Sequence, residues 1–314
     1  MNGRGEIVRA KKKADSPALE VRYNLNGSHY YVNPNSKMPR GLKRFLIFLA
    51  TLVGIYALLL VGVYFGQRRL IYFPNRATPA PAASVIDTAT DITLTTEDGL
   101  QLGAWWVEPH VAVEPRNQVV LYAGGNAGNR EQRSQLAFFL ALRGFHVLSF
   151  DYRGYGGNPG TPTEAGLSLD ARAALAQVQA RGFDASNTIY FGESLGSAVV
   201  TRLAAEQAPA ALVLRSPFPS LTAVGQWHFP WLPVDLLLRD RFPTAELLAE
   251  VEAPVLVLYG TNDNVVSALQ SLQVAQVAPN LWLNVPFAAA GHNDSLWWGL
   301  SVAEWVESIG NAIR

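Results

Sequence analysis

Residues 188–197 read TIYFGESLGS, and the fold follows from how this stretch is parsed. The β-prone run 188–191 stops at Gly192, and a helix-compatible run, SLGSAVVTRLAAEQA, starts at once, so Ser194 must occupy a very tight strand-to-helix turn. Such a turn strains the backbone at the serine and needs glycine on both sides, because a Cβ at Gly192 or Gly196 would crowd the neighbouring strand and helix. It also exposes the serine hydroxyl at the end of a strand and the start of a helix. A Gly-x-Ser-x-Gly string alone is weak, but in a strand–turn–helix context it reads as a nucleophile elbow. The competing reading of Ser194 is an ordinary helix N-cap.

Outward from the elbow, apolar runs place strands near 91–96, 100–107, 118–122, 146–150, 187–191, 211–215, 255–259 and 281–285. Helices are expected near 130–143, 163–181, 195–207, 265–277 and 301–313. The first two strands are joined by Glu97-Asp98-Gly99, a hairpin signal. After them strands and helices alternate, which implies a mainly parallel sheet with helices on both faces. Buried parallel strands should be continuously apolar, as VVLY, VLSF and VLVLY are. The expected class is α/β, an α/β-hydrolase-like sheet of eight strands with its chemistry at strand carboxyl ends.

On such a sheet the partners of the serine follow it in the order acid, then histidine. Of the five histidines only His228 and His292 come after Ser194, and His292 lies in a polar loop just beyond the last strand. Asp263 follows the strand 255–259 in the turn Gly260-Thr261-Asn262-Asp263, whereas Asp235 and Asp240 fall in an irregular insertion. The candidate triad is therefore Ser194, Asp263 and His292, with a cap of the following helix as the rival role for Asp263. The glycine-rich loop after the third strand, residues 123–129, should supply the backbone N–H of Asn126 to an oxyanion hole completed by that of Leu195. A nucleotide phosphate loop is the other reading, but the lysine and spacing of a P-loop are missing. The insertion at about 217–244 is rich in proline and aromatics and reads as a short lid, with Phe218, Trp227 and Trp231 as candidate pocket residues and Trp297 and Trp298 extending the same surface. His228 is read as a lid or surface residue.

The front of the chain differs in kind. Residues 1–44 are polar and basic and form a tail with too little apolar content for a core. Residues 45–65, FLIFLATLVGIYALLLVGVYF, carry no charge, and about 21 residues of helix span roughly 30 Å, the hydrocarbon thickness of a bilayer. The basic tail precedes this anchor (45–66), so the positive-inside bias places the N-terminus in the cytoplasm and the domain on the exoplasmic or periplasmic side. A proline- and alanine-rich linker, 67–87, leads into a single domain at 88–314. There is no cysteine, hence no disulfide or thiol chemistry, and lysine plus arginine balance aspartate plus glutamate at 25 each, which offers no basic patch for nucleic acid. No metal cluster and no cofactor are indicated.

With these motifs placed, the chain resembles the membrane-anchored Bem-like and ABHD-like serine hydrolases, including bacterial homologues. The similarity rests on Gln67-Arg68-Arg69-Leu70-Ile71-Tyr72-Phe73-Pro74, Gly125-Asn126-Ala127-Gly128-Asn129, Asp151-Tyr152-Arg153-Gly154-Tyr155-Gly156, Gly192 to Gly196, Ser216-Pro217-Phe218 and Gly291-His292-Asn293-Asp294. The resemblance implies a serine hydrolase whose nucleophile, acid and base match Ser194, Asp263 and His292, acting on esters, lysophospholipids or protein thioesters. In one departure, Gly124 stands where the family usually has a histidine that braces the oxyanion loop. The expected activity is hydrolysis of carboxylic, lipid-derived acyl esters. The alternatives are a thioesterase or peptidase of the same fold, or a non-catalytic membrane scaffold.

Overall fold

The computed structural model describes residues 20–23, 26, 28–32 and 37–314. Most of the basic tail lies outside the described residues; within it, Glu20–Tyr23 and His29–Val32 pair as a short antiparallel hairpin that hydropathy does not signal. The chain divides into two compact units, Met1–Leu59 and Leu60–Arg314. Helix α1 (Arg40–Ile71) extends the uncharged run at both ends, taking in Arg40, Lys43 and Arg44 at its start and Arg68 and Arg69 in its last turn, where cations favour the helix dipole. Among the described residues it is the one helix long and apolar enough to cross a membrane.

The second unit is organised on eight strands: β1 (Ala89–Thr95), β2 (Gln101–Val107), β3 (Val119–Ala123), β4 (His146–Phe150), β5 (Thr188–Glu193), β6 (Ala211–Arg215), β7 (Val255–Gly260) and β8 (Leu281–Phe287). They hydrogen-bond in the order β8-β7-β6-β5-β3-β4-β2-β1. Only β2 runs against its neighbours; the remaining pairs are parallel. Every residue of β3, β5, β6 and β7 is buried, which is why those runs are apolar without alternation. Edge strand β8 is only half covered and keeps a mixed sequence. The fold is that of the α/β hydrolases.

Helices cover both faces. On one side α3 (Glu164–Gln179), α4 (Leu195–Glu206) and α6 (Ala268–Val277) pack on Leu121, Leu148, Leu212 and Val257. On the other, α2 (Ser134–Leu142) and α7 (Leu300–Ala312) pack on Val120, Val147, Phe191 and Leu256. Helix α5 (Leu221–His228) and the short turn Val234–Leu237 lie in the insertion after β6.

The closest approach of backbone to a glycine in this frame lies where β5 turns into α4. A Cβ on Gly192 would sit 2.6 Å from Ser197 Cα, and one on Gly196 would sit 2.5 Å from the Gly124 carbonyl oxygen and collide with that of Ala123. At Gly124 itself, the nearest atom to an added Cβ is Arg133 Nε at 3.7 Å, an ordinary contact. Gly196→Ala should therefore destabilise the protein by about 1–3 kcal/mol, as overpacking does, while Gly124→Ala stays within about 0.5 kcal/mol of wild type. Thermal unfolding of the detergent-solubilised variants checks both; equal losses would contradict this packing.

Candidate active site

Ser194 follows β5 with φ 52° and ψ −113°, a left-handed backbone that a non-glycine residue holds only under constraint. Its N–H donates to the Arg215 carbonyl at 2.8 Å, which ties the turn to β6. The side chain of His292 arrives from the loop after β8, with Nε2 3.1 Å from Ser194 Oγ. Its Nδ1 lies 2.6 Å from Asp263 Oδ2.

Asp263 sits in the turn after β7. Its Oδ1 accepts from the N–H groups of Val265 and Val266 at 2.9 and 2.8 Å, and Ser216 Oγ donates to Oδ2 at 3.1 Å. Burial pushes this carboxyl up, but the hydrogen bond and charge of His292, together with the two backbone N–H groups, outweigh it and hold Asp263 below the usual carboxylate value. An ionised carboxylate only accepts, so the imidazole proton belongs on Nδ1 and Nε2 is left to accept from the serine hydroxyl. Asp263 thus also performs the turn-capping role weighed against it, with its other oxygen. The helix beyond starts at Ala268, capped by Ser267.

In the loop after β3, the N–H of Asn126 has no hydrogen-bond partner among the described residues, and neither has that of Leu195. Both residues line the same cavity as Ser194. The loop is braced from several sides. Tyr152 and Tyr155 hydroxyls donate to the carbonyls of Gly124 and Asn126, both at 2.8 Å. Phe73 N–H also donates to the Asn126 carbonyl, and Asn126 Nδ2 donates to that of Ile71. Burial pushes both tyrosine hydroxyls well up, so they remain donors. The loop is held without the side chain that Gly124 lacks.

The cavity above Ser194 measures about 410 Å³ and is lined mainly by apolar side chains. Phe218 and Trp231 contribute to it, but Trp227 does not. The reason is helical: α5 turns Leu221, Val224, Gly225 and His228 to the cavity at i, i+3, i+4 and i+7, which leaves Trp227 outside and 59 % exposed. Trp297 and Trp298 are also elsewhere. Trp297 is buried under the sheet with its Nε1 on the Gly291 carbonyl, and Trp298 Nε1 approaches Glu193. His228 ends α5, with Nε2 2.9 Å from the Val265 carbonyl.

Comparison with known proteins identifies the family and the fold. The signature of the serine aminopeptidase, S33 family matches residues 113–245. An uncharacterized protein of Mycobacterium tuberculosis is 47% identical over 249 residues, 77% of this chain and 87% of that one. The lysophosphatidylserine lipase ABHD12 of Rattus norvegicus is 32% identical over 206 residues, 54% of this chain and 51% of its own length. The chain belongs to the ABHD-like α/β hydrolases. Among solved structures, an α/β hydrolase from Vibrio vulnificus shares the fold with a TM-score of 0.63 at 22% identity, covering 87% of this chain and 95% of that one. A Pyrococcus furiosus esterase does so with a TM-score of 0.57 at 20% identity, covering 77% and 96%.

Beneath the site of this hydrolase lies a buried charge network that sequence patterns do not reveal. Glu193 Oε1 accepts from Arg133 Nη2 at 3.0 Å and faces Arg215 Nη1 at 3.9 Å, while Tyr122 OH donates to Oε2 at 2.9 Å. Arg215 in turn donates to the His292 carbonyl and lies over the Trp297 ring. Burial alone would raise the Glu193 carboxyl, but the charges of Arg133 and Arg215 and the hydrogen bonds from Arg133 and Tyr122 pull it from 4.5 to about 2. A depressed carboxylate stabilises the fold above its unfolded value, and that contribution is lost as pH falls from 4.5 through about 2. Glu193→Gln leaves two guanidinium groups without their counter-charge and should cost about 3–5 kcal/mol near neutrality. Unfolding midpoints of wild type and variant should converge on acidification across that window. Parallel curves would contradict the network.

Proposed function

We propose that this chain is a membrane-anchored serine hydrolase that cleaves carboxylic esters with an aliphatic acyl group. The observation that carries this reading is the file Ser194 Oγ, His292, Asp263 opening onto an apolar cavity beside two unpartnered N–H groups. Ser194 Oγ attacks the ester carbonyl as His292 Nε2 takes its proton, and the carbonyl oxygen becomes an oxyanion bound by the N–H groups of Asn126 and Leu195. Each such donor contributes about 3–4 kcal/mol to the transition state. Collapse expels the alcohol, protonated by His292, and leaves an acyl-serine. Water, deprotonated by the same imidazole, then releases the acid. Asp263 fixes the tautomer and stabilises the imidazolium without taking its proton.

The cavity and the relatives support the lipid class. A lysophosphatidylserine lipase is among them, and a one-chain acyl ester is the substrate type that an apolar cavity of this size suits. The uncharged span serves as the anchor, and the basic tail before it favours a cytoplasmic N-terminus with the hydrolase unit on the exoplasmic side.

A fluorophosphonate probe should label the detergent-solubilised protein and fail to label Ser194→Ala and His292→Ala. Asp263→Asn should keep the fold and lower kcat by about 10⁴. A folded wild type that takes no label would overturn the hydrolase reading.

A further inference from the structure

Val63 belongs to two features at once: it lies in the uncharged run 45–65, and it lines the cavity above Ser194. Gln67, Leu70 and Ile71, farther along α1, line the same cavity. Positions 63, 67, 70 and 71 share one helix face, so a continuous side of the helix forms the wall. Val61, on another face, is 53 % exposed and does not line the cavity. From Leu60 onward the helix belongs to the same compact unit as the hydrolase sheet.

The facing wall is the lid, and polar contacts fasten it to α1. Gln67 Nε2 donates to the Leu237 carbonyl at 3.0 Å and its Oε1 accepts from Arg239 N–H at 2.8 Å. Arg68 donates to both oxygens of the buried Asp240, and Tyr72 OH donates to Oδ2 at 3.1 Å. Leu70 and Phe73 on one side, and Phe229 and Trp231 on the other, line the cavity yet remain about half exposed or more. A cluster of this kind is unfavourable in water and compatible with lipid. Among the described residues no aspartate, glutamate, lysine or arginine lines the cavity, which suits an apolar chain.

We infer that the last turns of the anchor helix form half of the acyl-binding site, and that the aliphatic chain of a membrane ester lies along α1, between Val63 and the lid, when its carbonyl is at Ser194. This rests on the serine hydrolase reading, and it makes the helix part of the substrate site as well as a tether. Leu70 and Phe229 flank the chain, the ester carbonyl reaches Ser194, and the headgroup stays outside the cavity.

The chain contains no cysteine, so V63C and V61C each introduce a single thiol. Full-length protein in phosphatidylcholine vesicles is first phosphonylated at Ser194, with loss of fluoride, by either an ethyl or a hexadecyl fluorophosphonate and then exposed to a membrane-permeant maleimide. The hexadecyl probe should slow modification of the V63C thiol at least tenfold relative to the ethyl probe, while the V61C thiol reacts within twofold in both states. Equal rates at V63C with the two probes, or the same protection at both positions, would overturn the inference and leave the hydrolase reading standing. Failure of the hexadecyl probe alone to react would overturn the inference, and failure of both probes to react with folded wild type would remove the reading and the inference together.

Discussion

The structure depends on a close approach: strand β5 and helix α4 meet with Gly192 and Gly196 nearly in contact with neighbouring backbone, and Ser194 is held between them at positive φ. That conformation costs on the order of 1–3 kcal/mol and persists because the surrounding chain over-determines it. The fully buried β5 fixes one end, the helix the other, and the Arg215 carbonyl captures the serine N–H between them. The approach also brings the end of β3 against α4, so the loop bearing Asn126 and the first turn bearing Leu195 present their N–H groups to one cavity. Geometry suited to an oxyanion hole is therefore a consequence of how the elbow packs.

Charge beneath the elbow holds the surrounding loops together. Glu193 lies next to the serine in sequence, Arg133 comes from the helix after the glycine-rich loop, and Arg215 ends β6 and reaches the backbone of His292. One buried carboxylate thus links three segments that must stay in register for Ser194, His292 and Asn126 to face each other. Replacing such a network by apolar residues can be neutral for stability, so its value here lies in the positions it fixes. The tyrosines of the Asp151 to Gly156 motif brace the same loop from the opposite side, which accounts for a loop held in place despite glycine at 124.

The eight strands were legible to within about two residues because parallel strands buried on both faces leave unbroken apolar runs, and the elbow was legible because its glycines answer a steric demand. Ser194, Asp263 and His292 stand in hydrogen-bonding file. What sequence patterns did not carry is long-range polar pairing. Glu193, Arg133 and Arg215 look like ordinary charges until the fold buries them, and Asp240, set aside as part of an irregular insertion, proves to bind Arg68 and Tyr72. Composition alone makes Trp227 a pocket candidate because the proline-rich insertion hides a helix; the periodicity of α5 sends that side chain outward. Trp297 was likewise read by its composition, whereas its indole stacks on Arg215 within the core.

A serine nucleophile at position 194 becomes acylated during turnover. The most direct measurement is a rapid-quench experiment with an activated long-chain ester, reading the first-turnover release of alcohol and the intact mass of the protein together. The account predicts a burst equal to the enzyme concentration and a mass gain of one acyl group, which peptide mapping places on Ser194. Steady release of alcohol with no burst, and no acyl group on the Ser194 peptide at any time, would contradict it.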